Sequence, residues 1–235
     1  GVPILQGYGL TETSPVLSVN VPEDNEPGSV GVPLNGVELR IGEQDELLAK
    51  TPGMMLGYWN NHVATAEVID KDGWLHTGDQ ARIENGHVYI TGRIKDILVL
   101  SNGEKIPPAD MELAICLAPE IDQALIIGEG KPYLSAILVL NPEEWRRLAK
   151  RHDLDTDAAE SLANDKLQQH FIKVVRRRLK DFPGYAKVRR VILVTDTWSV
   201  DNGLLTPTLK VKRNKVLERY REAIESLYAN GPVGR

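Results

Sequence analysis

Short apolar runs broken by Gly and Pro fill the first part of the chain, and helical periods take over in the second. Val37–Ile41 and Glu46–Ala49 read as short strands. Ala81–Glu84 and His87–Thr91 flank Asn85-Gly86, which predicts a two-residue hairpin because both residues tolerate positive φ. Asn61–Ile69 predicts a short helix. This half reads as a small sheet or distorted barrel.

Beyond it, Pro108–Leu117 predicts a helix with Met111, Ala114 and Ile115 on one face. Ala124–Ile127 and Leu134–Leu140 are strand-like runs. Asn141-Pro142-Glu143-Glu144 supplies a capping side chain, Pro in the first turn and carboxylates at the positive end of a helix dipole. Leu167, Phe171, Val175 and Leu179 recur at helical spacing, with Pro183-Gly184 as the stop. Val191–Val194 reads as a strand. Leu217, Tyr220, Ile224 and Leu227 form the apolar stripe of one last helix, and 231–235 reads as a tail. The fold class is α+β: a β-rich unit over 1–94, then a small α+β domain over 95–235 with a short central sheet flanked by helices.

Charge sharpens that division. Residues 1–94 carry 5 Lys/Arg and 13 Asp/Glu, and residues 95–235 carry 23 and 20, so net −8 and +3 sum to −5. The second unit is the better suited to an anionic ligand. The acidic balance argues against a nucleic-acid binder. No apolar run reaches the ~18–20 residues of a membrane helix, and no basic-then-apolar leader is seen. The expectation is a cytoplasmic protein whose membrane association, if any, is peripheral. Cys116 stands alone, which excludes an internal disulfide and a thiolate metal site. The chain opens on Gly1 inside what reads as a strand, and is expected to be a piece of something longer. Nothing in the sequence selects an oligomeric state.

Four segments combine Gly with charged or hydroxyl residues. In Gln6-Gly7-Tyr8-Gly9-Leu10-Thr11-Glu12-Thr13, the glycines allow close backbone approach to a ligand, Thr11 offers a donor to a phosphate and Glu12 a hard oxygen to Mg²⁺. It is neither a dinucleotide fingerprint nor a Walker loop, and taken alone it is better explained by a plain tight turn with a surface carboxylate. In Gly73-Trp74-Leu75-His76-Thr77-Gly78-Asp79, the Asp79 carboxylate suits two vicinal hydroxyls, while His76 reads as a packing or hydrogen-bonding residue; a solvated turn is the plain alternative. Arg93-Ile94-Lys95-Asp96 and the Ser101-Asn102-Gly103-Glu104-Lys105 turn follow where the charge balance changes, as a linker would. Asp201-Asn202-Gly203-Leu204-Leu205-Thr206-Pro207-Thr208-Leu209-Lys210-Val211-Lys212-Arg213 ends the set; a loop with solvated lysines is its plain alternative. Lys173, Arg176, Arg177, Arg178 and Lys180 cluster at a helix end, by default a solvated face. Cys116 reads as an inert, buried thiol and the four Trp residues as packing.

In this order, the four segments resemble the C-terminal portion of the adenylate-forming superfamily, which includes acyl-CoA synthetases, peptide-synthetase adenylation domains and luciferases. The Gly73–Asp79, Arg93–Asp96 and Leu204–Lys210 stretches are most similar to long-chain fatty-acid-CoA ligases. The resemblance implies a carboxylate activated by ATP to acyl-AMP, then displaced by a thiol, usually CoA. It implies that Tyr8 lies against adenine and that Gly9 is part of the nucleotide site. Thr11 binds the α-phosphate, Glu12 ligates Mg²⁺, and Asp79 takes the ribose hydroxyls assisted by Arg93. Lys95 becomes the hinge of a mobile C-terminal domain, and Lys210 the cation of adenylation. Gly103 leaves room for pantetheine and Lys105 meets a CoA phosphate. The partners implied are fatty acid, ATP and CoA. The family's Pro-Lys-Gly phosphate loop has no counterpart here, and the acyl pocket is expected upstream, so the chain alone is expected to be inactive. Two further readings stay open: an adenylation domain loading a carrier-protein pantetheine, and a non-catalytic nucleotide-binding module of the same fold.

Overall fold

A computed structural model describes residues 2–229 and 231 of the chain. The 231–235 tail read from the sequence lies, past Gly231, outside them. The fold is α+β, and it divides into two compact units, Gly1–Asp96 and Ile97–Arg235.

In the first unit, β1 (Gly7–Gly9), β2 (Val16–Val19) and β3 (Val32–Pro33) form one antiparallel sheet. Residues 2–6 precede β1 without strand structure, so the opening strand read from the sequence starts later. A second antiparallel sheet orders β4 (Glu38–Ile41), β5 (Glu46–Lys50), β6 (Leu75–Glu84) and β7 (His87–Arg93), with helix α1 (His62–Val68) in the β5–β6 connection. Asn61 caps α1 through its side chain. Asn85 and Gly86 take φ of 51° and 85°, the pair of positive values a tight β6–β7 turn needs. Backbone bonds from Val30 N to Val88 O and from Val88 N to Gly31 O tie the first sheet's segment to β7. Leu47, Ala81 and Val88 form the core, and Tyr8 packs against it.

The second unit opens with a two-stranded ribbon, β8 (Leu98–Val99) and β9 (Lys105–Ile106), and helix α2 (Pro108–Cys116). Its sheet runs β10 (Ile121–Ile127), β11 (Leu134–Leu140), β12 (Val188–Val194), antiparallel then parallel. Between β11 and β12 come α3 (Pro142–His152), α4 (Ala159–Leu162) and α5 (Asp165–Arg178). Every residue of β11 is buried, which explains an apolar run interrupted by Ser135 alone: a central strand covered on both faces has no reason to alternate. Ala136, Leu138 and Leu140 face a core built with Met111, Ile115, Phe171 and Val175. Ile137 and Val139 face a second core around Trp198, Leu205 and Val216. Asn141 Oδ1 accepts the Glu143 and Glu144 amides, the cap predicted for α3, a type worth ~1 kcal/mol.

Three details differ from expectation. Helix α5 ends at Arg178, before Pro183-Gly184: Leu179, buried in the core, has already left helical geometry at φ −97° and ψ 15°. The last helix is two: α6 (Arg213–Arg219) and α7 (Arg221–Ala229) meet at Tyr220, whose φ and ψ are −103° and 20°. Bonds from Tyr220 N to Val216 O and from Ile224 N to Tyr220 O bridge the break, so the apolar period passes through it undisturbed. Trp145 and Trp198 are core residues and Trp74 stacks under Arg40, but Trp59 is 91% exposed and packs no core.

Candidate functional site

The β6–β7 register sets Asp79 opposite Arg93. Gly78 takes φ of 71°, a conformation an L side chain resists, and its amide bonds Glu46 Oε1 at 2.9 Å. Thr77 Oγ1 donates to the Leu47 carbonyl at 2.7 Å and accepts the Asp79 amide at 3.1 Å. Asp79 is thereby fixed from its own backbone, and it is buried.

Two donors reach its carboxylate. The Tyr8 hydroxyl, from β1, donates to Oδ2 at 2.6 Å, and Arg93 Nε donates to Oδ1 at 2.8 Å. Burial, then the bond to Asp79 and its charge, push the Tyr8 phenol well above its ordinary range, so it stays a donor. The same carboxylate raises Arg93, chiefly through its hydrogen bond. Each carboxylate oxygen accepts more than one bond. With one donor on each, Asp79 keeps capacity for a further pair of hydroxyls.

After β1 the chain makes a one-turn 3₁₀ segment, Thr11–Thr13. Thr13 is buried and structural: its hydroxyl accepts from Leu10 N and bonds the Pro15 carbonyl at 2.7 Å. Thr11 is exposed and Glu12 half-buried. Glu12 Oε1 accepts from the Tyr58 hydroxyl at 2.8 Å, which raises the Tyr58 phenol. Among the described residues Oε2 has no recorded partner, and no group of three or more His, Cys, Asp or Glu could hold a metal ion. One carboxylate completed by substrate phosphates is the usual way Mg²⁺ binds, so Glu12 fits that ion in kind. Gly9 has a nearer reason to be glycine than a ligand's approach. A Cβ there would lie 1.9 Å from the Pro15 carbonyl oxygen.

Lys95 is exposed in the 3₁₀ segment Ile94–Asp96 and lines an open cavity of about 660 Å³ in the first unit with Arg40, Glu46, Asp70 and His76. His76 Nδ1 lies 2.8 Å from Glu46 Oε2, a hydrogen-bonding role within the sheet.

In the second unit, Gly103 takes φ of 87° on the β8–β9 turn, with open space where a Cβ would be. Lys105 is exposed on β9. Lys210 is exposed at the end of a separate turn: Thr206 N donates to its carbonyl at 2.8 Å, and its amide donates to Thr206 Oγ1 at 3.0 Å. Three residues on, Arg213 anchors that segment through the Ile126 carbonyl at 2.8 Å and Glu112 at 2.5 Å. Cys116 is half-buried, not fully buried as expected, and burial and the Glu112 charge push its thiol up to about 11, away from the reactive thiolate.

Sequence reasoning reached Tyr8, Asp79 and Arg93, which the fold joins across 71 and 14 residues of chain. It missed Tyr58 on Glu12, Thr77 beneath Asp79, and Glu46, which carries both Gly78 and His76. The Tyr58 and Glu46 contacts join strands and loops 30 or more residues apart, and no local spacing signals them.

Residues 95–231 match the family described as AMP-binding enzyme C-terminal domain, and residues 1–59 match AMP-binding enzyme. The chain is 35% identical to the long-chain-fatty-acid-CoA ligase FadD15 of Mycobacterium bovis, over 97% of this chain and 38% of that protein. It is 33% identical to a chloroplastic long-chain-fatty-acid-acyl-carrier-protein ligase of Arabidopsis thaliana, over 97% and 33%. Its fold is similar, with a TM-score of 0.77 and 27% identity, to the A domain of carboxylic acid reductase from Segniliparus rugosus in complex with AMP and a co-purified carboxylic acid. That likeness covers 97% of this chain and 36% of the other. The chain thus spans about a third of the length of the relatives it matches.

Proposed function

The chain belongs to the AMP-binding enzyme family, and from that premise we propose that it is the nucleotide-handling, C-terminal part of an ATP-dependent long-chain fatty-acid-CoA ligase. Residues 1–94 are then the end of the large domain, and 95–235 the mobile C-terminal domain. The observation that carries the proposal is the Asp79 carboxylate, braced by Tyr8 and Arg93 with lone pairs to spare. Asp79 takes the ribose hydroxyls, Arg93 holds the carboxylate in place, and the Tyr8 ring lies along adenine. Gly9 shapes the turn beside Tyr8.

The reaction couples a fatty-acid carboxylate to the α-phosphorus of ATP with loss of pyrophosphate, and a CoA thiol then displaces AMP. The thiolate attacks the acyl carbon, and the acyl-oxygen bond to AMP breaks. Thr11 donates to the α-phosphate. Glu12, steadied by Tyr58, holds Mg²⁺, which when bound supplies neutralising charge to the phosphates. Lys210 brings a point charge on a flexible stem to the α-phosphate and carboxylate oxygens. A flexible stem suits a cation that must leave before the second step. Lys95 sits at the pivot, and the Gly103 turn, with no side chain to obstruct it, borders pantetheine while Lys105 meets a CoA phosphate. The Arabidopsis relative named for an acyl-carrier-protein acceptor supports a second reading in which a carrier-bound pantetheine replaces CoA.

The test is fatty-acid-dependent ATP-pyrophosphate exchange by a full-length ligase carrying this sequence, followed by transfer to CoA or to carrier protein. Exchange driven by long-chain fatty acids, with transfer to CoA, is expected. Exchange with no carboxylate in a broad panel would defeat the proposal, and transfer to carrier protein alone would select the second reading.

A further inference from the structure

Residues 171–190 carry eight Lys/Arg and one Asp/Glu, within a chain of net charge −5. The structure gathers half of those cations into one groove. Arg176 and Lys180 come from the end of α5, Lys187 and Arg189 from the approach to β12 and its start, around an open concavity of about 480 Å³. Among the described residues no carboxylate lines it. Among the described residues Lys180 has one loose ion-pair partner, Asp181 at 3.9 Å. Arg176, Lys187 and Arg189 have no recorded ion pair or side-chain hydrogen bond among the described residues. Elsewhere in the second unit, Arg147, Arg213, Lys215 and Arg219 each meet a carboxylate at 3.0 Å or closer.

Unpaired like charges around one hollow repel one another, and an external anion relieves the repulsion. The walls between them are apolar: Leu179, Phe182, Ala186 and Val188. Pro183, which lines the groove, is exposed, and Tyr185, next in the chain to the lining residues Gly184 and Ala186, is 48% exposed. Cations surrounding apolar and aromatic groups match the boundary of an anionic bilayer, where headgroup phosphates meet the first methylenes. A nucleic acid needs a long basic track with stacking platforms; this groove is short, and Phe182 is its one aromatic lining residue among the described residues.

We propose that this groove docks the second unit onto a membrane surface containing anionic phospholipid. Such a surface places the protein where long-chain fatty acids partition, although the docking does not depend on the nucleotide chemistry proposed above.

Co-sedimentation of the full chain with vesicles tests it. In about 0.1 M salt, vesicles of phosphatidylcholine with about 30% phosphatidylglycerol bind the chain, and pure phosphatidylcholine does not. Each cation near an anionic leaflet multiplies partitioning by about fivefold. Arg176→Glu with Lys187→Glu therefore lowers binding by at least about 10²-fold, and the milder pair Arg176→Gln with Lys187→Gln by at least about tenfold. The control pair Lys71→Glu with Lys150→Glu makes the same net change elsewhere and lowers binding by much less. Circular dichroism checks that each variant is folded; if the Glu pair unfolds, the Gln pair decides. Equal binding to both vesicle types, or a control as damaging as the groove variants, overturns the proposal. So does release of the bound chain by millimolar inorganic phosphate or CoA at constant ionic strength, which would make the groove a site for soluble phosphates. Loss confined to the groove variants, on anionic vesicles alone and unmoved by either competitor, supports it.

Discussion

Lys210→Ala, in a full-length ligase carrying this sequence, lowers the rate of adenylate formation by about 10²–10³ and leaves thioester formation from supplied acyl-AMP near its original rate. Attack of a carboxylate on an α-phosphate gathers negative charge, so the barrier is largely electrostatic. A donor aimed at that developing charge is worth ~3–4 kcal/mol. The Lys210 side chain is exposed. The turn is kept instead by its backbone and Thr206. Truncation therefore removes a charge without unfolding the domain, and a normal thermal melt accompanies the lost rate. Single-turnover measurement of each half-reaction separates the outcomes. Equal loss in both would mean that Lys210 serves binding or stability in general, and would also remove the reason for two domain poses.

Asp79→Ala weakens AMP and ATP binding by about 10²-fold. Hydrogen bonds to a charged group are worth ~1.5–3 kcal/mol each, and a ribose offers two. Against their loss stands some recovery, since Arg93 is half-exposed and regains water once its partner is gone. The net of ~3 kcal/mol corresponds to about 10² in affinity. Arg93→Ala is milder, because Tyr8 still holds Asp79 and the carboxylate survives. Calorimetric titration of the full-length protein with AMP measures both. An Asp79→Ala variant that stays folded and binds AMP as tightly as the original would detach the carboxylate from the nucleotide.

Much of this fold is written locally. Asn85-Gly86 declares its hairpin because few dipeptides accept two positive φ values. Asn141 declares the start of α3 because its side chain substitutes for a missing backbone acceptor. Phe171 and Val175 declare the buried face of α5 by their spacing. The break at Tyr220 leaves no such mark, since the apolar period continues across it. The end of α5 is not marked either, since the apolar period of Leu167, Phe171 and Val175 carries on to Leu179, which has already left helical geometry.

The candidate site divides the same way. Tyr8, Asp79 and Arg93 belong to segments whose order and wording mark them, and the sheet register completes the cluster. Glu12 was legible, but its support was not: the Tyr58 hydroxyl arrives from 46 residues away, on a loop without periodicity. Gly9 was legible as a constraint, and the fold adds a cause that no local spacing signals. The space its side chain would fill belongs to the Pro15 carbonyl, a close approach within the chain itself. Pattern marks that a position is constrained, and only the fold identifies the neighbour imposing the constraint.

The most direct measurement is a titration of the isotopically labelled 235-residue chain with AMP, followed by nuclear magnetic resonance up to about 10 mM, which reaches affinities as weak as ~3 kcal/mol. Shift changes clustered at residues 7–12, 77–79 and 93, and abolished by Asp79→Ala, are expected. Saturable changes centred elsewhere and indifferent to Asp79→Ala, or none at all over that range, would contradict a nucleoside held by Tyr8, Asp79 and Arg93.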